Sequence, residues 1–63
     1  MEAKLLRLPS VKERTGFRKS HLYEMIRRGE FPAPLKIGRR SVAWDSAAVE
    51  AWIRSRIDAG RRQ

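Results

Sequence analysis

A glycine turn that runs directly into a cationic helix concentrates the chemistry of this chain. Thr15-Gly16-Phe17 leads into Arg18-Lys19-Ser20-His21-Leu22-Tyr23-Glu24-Met25-Ile26-Arg27-Arg28, and Gly29 closes the segment. Spaced at 100° per residue, Leu22, Met25 and Ile26 share one apolar stripe; Ser20, Tyr23, Glu24 and Arg27 face the opposite side, and His21 and Arg28 lie on one flank. Guanidinium and ammonium groups neutralise phosphates, and short hydroxyl side chains reach base edges, which is what a helix needs in the major groove of DNA. A second basic projection follows at Lys36, Arg39, Arg40 and Ser41. The candidate DNA-binding set is therefore Arg18, Lys19, Ser20, His21, Tyr23, Arg27, Lys36, Arg39, Arg40 and Ser41.

Local signals define the elements that must hold these groups. Leu6 and Leu8 alternate around Arg7 as a brief edge strand would. Pro9 suits the first position of a helix, and Ser10 with Glu13 has capping-box spacing, so a short helix anchored by Val11 is expected to end at Gly16. The cationic helix is expected over about residues 18–28. Phe31-Pro32-Ala33-Pro34 reads as an extended connector. Leu35 and Ile37 alternate with Lys36, and Val42 and Trp44 with Ala43, around a turn at Gly38. This predicts a hairpin whose loop of two or four residues puts those four apolar residues on one buried face. Asp45 is a good N-cap for a last helix reaching about Ala59, with Gly60 as its stop and Val49, Trp52 and Ile53 as its core stripe. Arg56 falls on the same stripe and must snorkel outward. Arg61-Arg62-Gln63 reads as a loose basic tail. The fold class expected is mainly α with a small β-hairpin, in one domain with a core over about residues 6–59.

Composition narrows the function classes. Sixty-three residues make one domain. A chain this short buries only about 60% of the surface it exposes when unfolded, which leaves little room for a deep catalytic pocket. There is no cysteine and one histidine, so neither a disulfide framework nor a zinc finger is available. No apolar run approaches the roughly 18 residues of a membrane helix, and Met1-Glu2-Ala3-Lys4 has no signal-peptide core behind it. Fifteen Lys and Arg against seven Asp and Glu give a net charge of +8 and a pI near 11.4, and eleven of the cations are arginine. That balance calls for a polyanionic partner gripped bidentately. Glu13, Glu24 and Glu30 read as helix-surface or capping residues, no nucleophile sits in a strained elbow, and no Gly-rich phosphate loop follows a strand, so catalysis is not expected. Trp44 and Trp52 fall on apolar faces and read as core, not as stacking platforms.

Five motifs in order carry a family likeness. Leu8-Pro9 with Val11 and Thr15-Gly16-Phe17 come first, then Ser20, Leu22-Tyr23, Met25-Ile26, Gly29 and Phe31-Pro32 with Pro34. Leu35-Lys36-Ile37-Gly38-Arg39 follows, then Trp44, then Val49 with Ala51-Trp52-Ile53. Over about residues 6–57 the chain resembles the AlpA-type prophage regulators, which are related to phage excisionases and to the N-terminal domain of MerR regulators. The resemblance implies a winged helix-turn-helix: a second helix in the major groove, with a hairpin wing on the neighbouring backbone or minor groove. It implies a transcription regulator, or a recombination directionality factor that bends DNA at attachment sites. Major-groove roles fall on Arg18, Lys19, Ser20, Tyr23 and Arg27, and wing roles on Arg39 and Arg40. Two residues depart from the pattern. Relatives commonly have a capping serine where Arg18 stands, and a basic or neutral residue where Glu24 stands. Glu24 would repel phosphate unless it accepts from a cytosine amine or pairs with Arg27 or Arg28.

Double-stranded DNA is thus the expected partner, with an integrase or RNA polymerase as possible protein partners, in the cytoplasm at the bacterial nucleoid. No cofactor or metal is expected. With no heptad segment after the domain, the expected state is a monomer in solution that binds cooperatively on DNA. Two alternatives predict different behaviour. An RNA-binding module would bind folded RNA without protecting duplex, and a phage-encoded inhibitor would keep its protein partner after nuclease treatment.

Overall fold

The structure, a computed structural model, describes residues 3–62. Met1, Glu2 and Gln63 lie outside the described residues, and with Gln63 the last residue of the expected tail. The elements run β1 (Leu5–Leu6), α1 (Leu8–Thr15), α2 (Lys19–Arg27), β2 (Leu35–Lys36), β3 (Val42–Asp45) and α3 (Ser46–Arg61). The result is mainly helical with a small antiparallel sheet of order β1-β3-β2.

The hairpin was expected to be two-stranded; a third strand joins it because β1 pairs with β3 through Leu5↔Asp45 and Leu6↔Trp44. The strand holds Leu5 and Leu6, whereas Leu8 already belongs to α1. Ser46 extends the pairing: its N–H donates to the Lys4 carbonyl at 2.9 Å, and its Oγ accepts from the Lys4 N–H at 2.7 Å. These bonds join residues 42 positions apart, so the local sequence carries no sign of them.

The hairpin register overturns the expected buried face. Leu35 pairs with Ala43 and Lys36 with Val42, and the Ile37 N–H donates to the Ser41 carbonyl at 2.9 Å. The loop between Ile37 and Ser41 is therefore the three residues Gly38-Arg39-Arg40, not two or four. An odd loop reverses the side-chain parity between the strands. Lys36, Val42 and Trp44 share the helix side with Leu6, while Leu35, Ile37, Ser41 and the fully buried Ala43 share the opposite side. Leu35 and Ile37 are accordingly half-exposed, at 50% and 42%.

The core is Leu6, Val11, Leu22, Met25, Phe31, Trp44 and Val49, with Leu8, Phe17, Ile26, Val42, Trp52 and Ile53 packed around it. Trp44 is the largest fully buried side chain. Its indole N–H donates to the Pro32 carbonyl at 3.0 Å, and that of Trp52 to the Glu30 carbonyl at 2.7 Å. Phe31, between those two carbonyls, is buried edge-to-face against Trp52 at 4.9 Å. The connector thus contributes a core residue that the extended reading did not assign to the interior. Arg56 lies over the outer face of Trp52, 5.0 Å from the ring centroid, which is how it leaves the stripe.

Helix boundaries show which local signals were strong. α1 is capped by Arg7, with no side-chain cap bond, so the Ser10–Glu13 box does not form and both residues lie within the helix. Pro9 takes the second helical position, where its missing N–H is still no loss. Asp45 caps α3 as expected, accepting from the Ala47 N–H at 3.0 Å. α3 passes through Gly60 to Arg61, so that glycine is helical and not a stop.

Two stability predictions follow from this packing. Trp44→Ala removes the central side chain and a buried donor, and should cost about 3–5 kcal/mol, enough to abolish a cooperative urea transition in so small a domain. The glycines should respond with opposite signs. Gly16 has φ 77° and open space around it, so Gly16→Ala should destabilise by about 1–2 kcal/mol through backbone strain alone. Gly60→Ala should stabilise by up to about 1 kcal/mol because the position is helical. Thermal melts of the two variants check both signs.

Candidate nucleic-acid interface

The turn that aims α2 is built from local bonds and one aromatic plug. Gly16 takes the left-handed conformation and donates its N–H to the Lys12 carbonyl at 2.7 Å, closing α1. Thr15 Oγ1 donates to the Val11 carbonyl at 2.8 Å and accepts from the Phe17 N–H at 3.3 Å. The Phe17 ring then packs 4.7 Å from the His21 ring and 6.1 Å from Trp52, so the three-residue link is anchored on both α2 and α3.

α2 ends as firmly. The Gly29 N–H donates to the Ile26 carbonyl and the Glu30 N–H to the Met25 carbonyl, the paired bonds of a Schellman stop with Gly29 at φ 75°. The Trp52–Glu30 bond follows at the next carbonyl. Its start is different. Arg18 occupies the N-cap in an extended conformation without a side-chain cap bond, and the first turn holds no acidic residue. The first N–H groups of α2 are thus left for solvent or a ligand, beside the cations Arg18 and Lys19.

Around α2 the burial follows the expected stripe. Leu22 and Met25 are buried and Ile26 is partly buried, while Lys19, Ser20, His21 and Arg27 are exposed and Tyr23 is 38% exposed. Tyr23 and His21 fall on opposite flanks, about 160° apart around the helix. The Tyr23 ring meets Trp44 edge-on at 6.2 Å. Trp44, itself fully buried, shares its sheet face with Val42 and Lys36, so the Tyr23 flank of α2 packs beside the hairpin that carries Lys36. Arg39 and Arg40 are exposed in the loop beyond it.

Two expected site residues are placed apart from that surface. Ser41 is half-buried and belongs by register to the outer face of the hairpin, opposite Lys36. His21 points toward α3, where with Arg28 it borders an open groove of about 490 Å³ floored by Phe17, Met25, Trp52 and Ile53. Arg28 was not among the expected site residues. It is tied to Glu24, whose Oε2 accepts a hydrogen bond from Arg27 Nη2 and forms an ion pair with Arg28 Nε at 3.0 Å. The i,i+3 and i,i+4 spacings had signalled each pairing as an alternative; one carboxylate oxygen makes both.

The comparisons with known proteins decide the lineage. The profile of the family described as "Prophage CP4-57 regulatory protein (AlpA)" matches residues 4–57. The chain belongs to that family. It is 42% identical over 62 residues to "Uncharacterized protein ORF88" of Enterobacteria phage P4, an alignment covering 98% of this chain and 69% of that protein. It is also 29% identical to the "DNA-binding transcriptional activator AlpA" of Escherichia coli (strain K12), over 84% of each chain. The AlpA likeness read from the motifs is thereby established over the span that contains α1, α2 and the hairpin. Among the described residues no helix is long and apolar enough to cross a membrane, and no group of three or more His, Cys, Asp or Glu is placed to hold a metal.

The start of α2 makes a testable compromise in this AlpA-family chain. Arg18→Ser would give the helix a side-chain cap and remove a cation from its positive end. A gain of about 1 kcal/mol is expected, read as a higher denaturation midpoint at unchanged slope.

Proposed function

We propose that this chain is a sequence-specific binder of double-stranded DNA, acting as a transcription regulator of a prophage or mobile element. In this reading α1 and α2 form the helix-turn-helix and the β2–β3 hairpin is the wing. α2 lies in the major groove. Ser20, Tyr23 and Arg27 face the bases, and Arg18, Lys19 and the open N–H groups at the start of the helix bind phosphate. Lys36, Arg39 and Arg40 reach the adjacent backbone. His21 and Ser41 lie at the margins of the interface and are assigned at most a phosphate contact.

One observation supports the reading: Tyr23, on the cationic helix, packs edge-on against Trp44, whose strand pairs with the strand that carries Lys36, so α2 and the basic hairpin are neighbours. Membership of the AlpA family and the likeness to a DNA-binding activator support the ligand class. The proposed place of action is the bacterial nucleoid, with the chain monomeric in solution and cooperative on DNA. RNA polymerase is the partner that a regulator would touch. An excisionase-like role beside an integrase would add bending at attachment sites, which a circular-permutation gel assay detects.

The test is a titration of duplex DNA at increasing salt. About six phosphate contacts predict that log K falls against log salt with a slope near −5; a slope near zero sinks the proposal. Duplexes selected from a random pool by the wild type should share a consensus. Arg27→Ala should lose preference at one base pair, by about 1–3 kcal/mol, and retain it elsewhere.

A further inference from the structure

The exposed side of α2 carries a carboxylate, Glu24, at the rim of the groove that His21 and Arg28 border, and no fold requirement explains it. The Glu24 side chain is 41% exposed, and those of its partners Arg27 and Arg28 are 70% and 59% exposed. Ion pairs so open to solvent add little to stability. Nor does the position serve attraction to a polyanion. In a chain of net charge +8, Glu24 interrupts the cationic surface between Ser20 and Arg27.

Its geometry does serve selection. One oxygen of Glu24 accepts an N–H from Arg27 and ion-pairs with Arg28 Nε, which restrains two long side chains at the C-terminal end of α2. A guanidinium has five N–H donors in a rigid fork, so Arg27 bound at Nη2 still has donors to offer a base edge. A flexible arginine takes any phosphate within reach, whereas a held one waits for an acceptor at the right place.

We propose that Glu24 is a specificity-determining residue: it positions Arg27 for a guanine edge and penalises sequence-independent binding. The inference rests on the duplex-binding reading above. On a matching site the Glu24–Arg27 bond persists while the remaining donors meet the guanine N7 and O6 acceptors. On any other site Arg27 must leave Glu24 to reach a phosphate, which leaves the carboxylate compensated by Arg28 alone against the DNA backbone.

The test compares the wild type with Glu24→Gln, a change of charge at nearly constant shape. Fluorescence anisotropy is read on the selected duplex and on its scrambled counterpart over a range of KCl concentrations. Glu24→Gln should tighten binding to the scrambled duplex about tenfold at low salt and steepen its salt slope by about one unit. The ratio of the two affinities should fall by about the same factor, with the circular-dichroism melting curve unchanged. In an Arg27→Gln background the same Glu24 change should alter the ratio less than twofold; in an Arg28→Gln background it should keep most of its effect. A ratio within twofold of wild type in Glu24→Gln overturns the role of Glu24 and leaves the DNA reading standing. A wild type that binds no duplex at low salt, or binds both duplexes alike, overturns the two together.

Discussion

Two indole N–H groups hold the junction on which this fold turns. The connector after α2 contains Pro32 and Pro34, which cannot donate, and its carbonyls need partners from elsewhere. Trp52 supplies one to Glu30 from α3, and Trp44 supplies one to Pro32 from the sheet. Phe31, between those carbonyls, is pressed into the core. The exit of α2 is thereby tied to both the other layers of the molecule at neighbouring backbone positions. Trp44 adds a side contact to Tyr23, so the same ring that fills the core also braces the exposed face of the helix. Orientation of the cationic surface is in this sense a packing property, set by two side chains that take no part in it.

What could be read in advance was local in origin. The extent of α2, the end of α1 at Gly16, the stop at Gly29 and the Asp45 cap all depend on residues within one or two helical turns, and these were legible. β1 was only half legible, because two residues make a strand when something distant pairs with them, and the Lys4–Ser46 bonds are that distant cause. The Ser10–Glu13 spacing misled because the chain turns helical earlier, at Leu8, with Arg7 as the one residue between β1 and α1. Phe31 looked like connector and is core; its burial depends on Trp52, 21 positions later. Of the site, the identity of the cations was plain from composition and period. Their sidedness was plain on the helix, where 100° per residue is reliable, and hidden on the hairpin, where it hangs on a single loop residue.

The surface is not optimised for the isolated molecule. α2 begins uncapped beneath two cations, the body is small, and the last turns of α3 extend past the core with Ile57 left 42% exposed. Each of these subtracts from a margin that is already narrow for a domain of this length. A polyanion lying along α2 would relieve the charge at its start and hold the folded form by mass action. Residual instability at the cationic face and affinity for a negative ligand are then the same electrostatic energy seen from two sides.

The three-residue loop has an evolutionary corollary. Adding or removing one residue between Ile37 and Ser41 would exchange the two faces of one strand relative to the other, turning Lys36 outward and Leu35 and Ile37 toward the helices. A change of two would preserve the parity and merely lengthen or shorten the tip. Natural variation in this tip should therefore proceed in even steps, and a lineage that altered it by one would have to rebuild the interior beneath it.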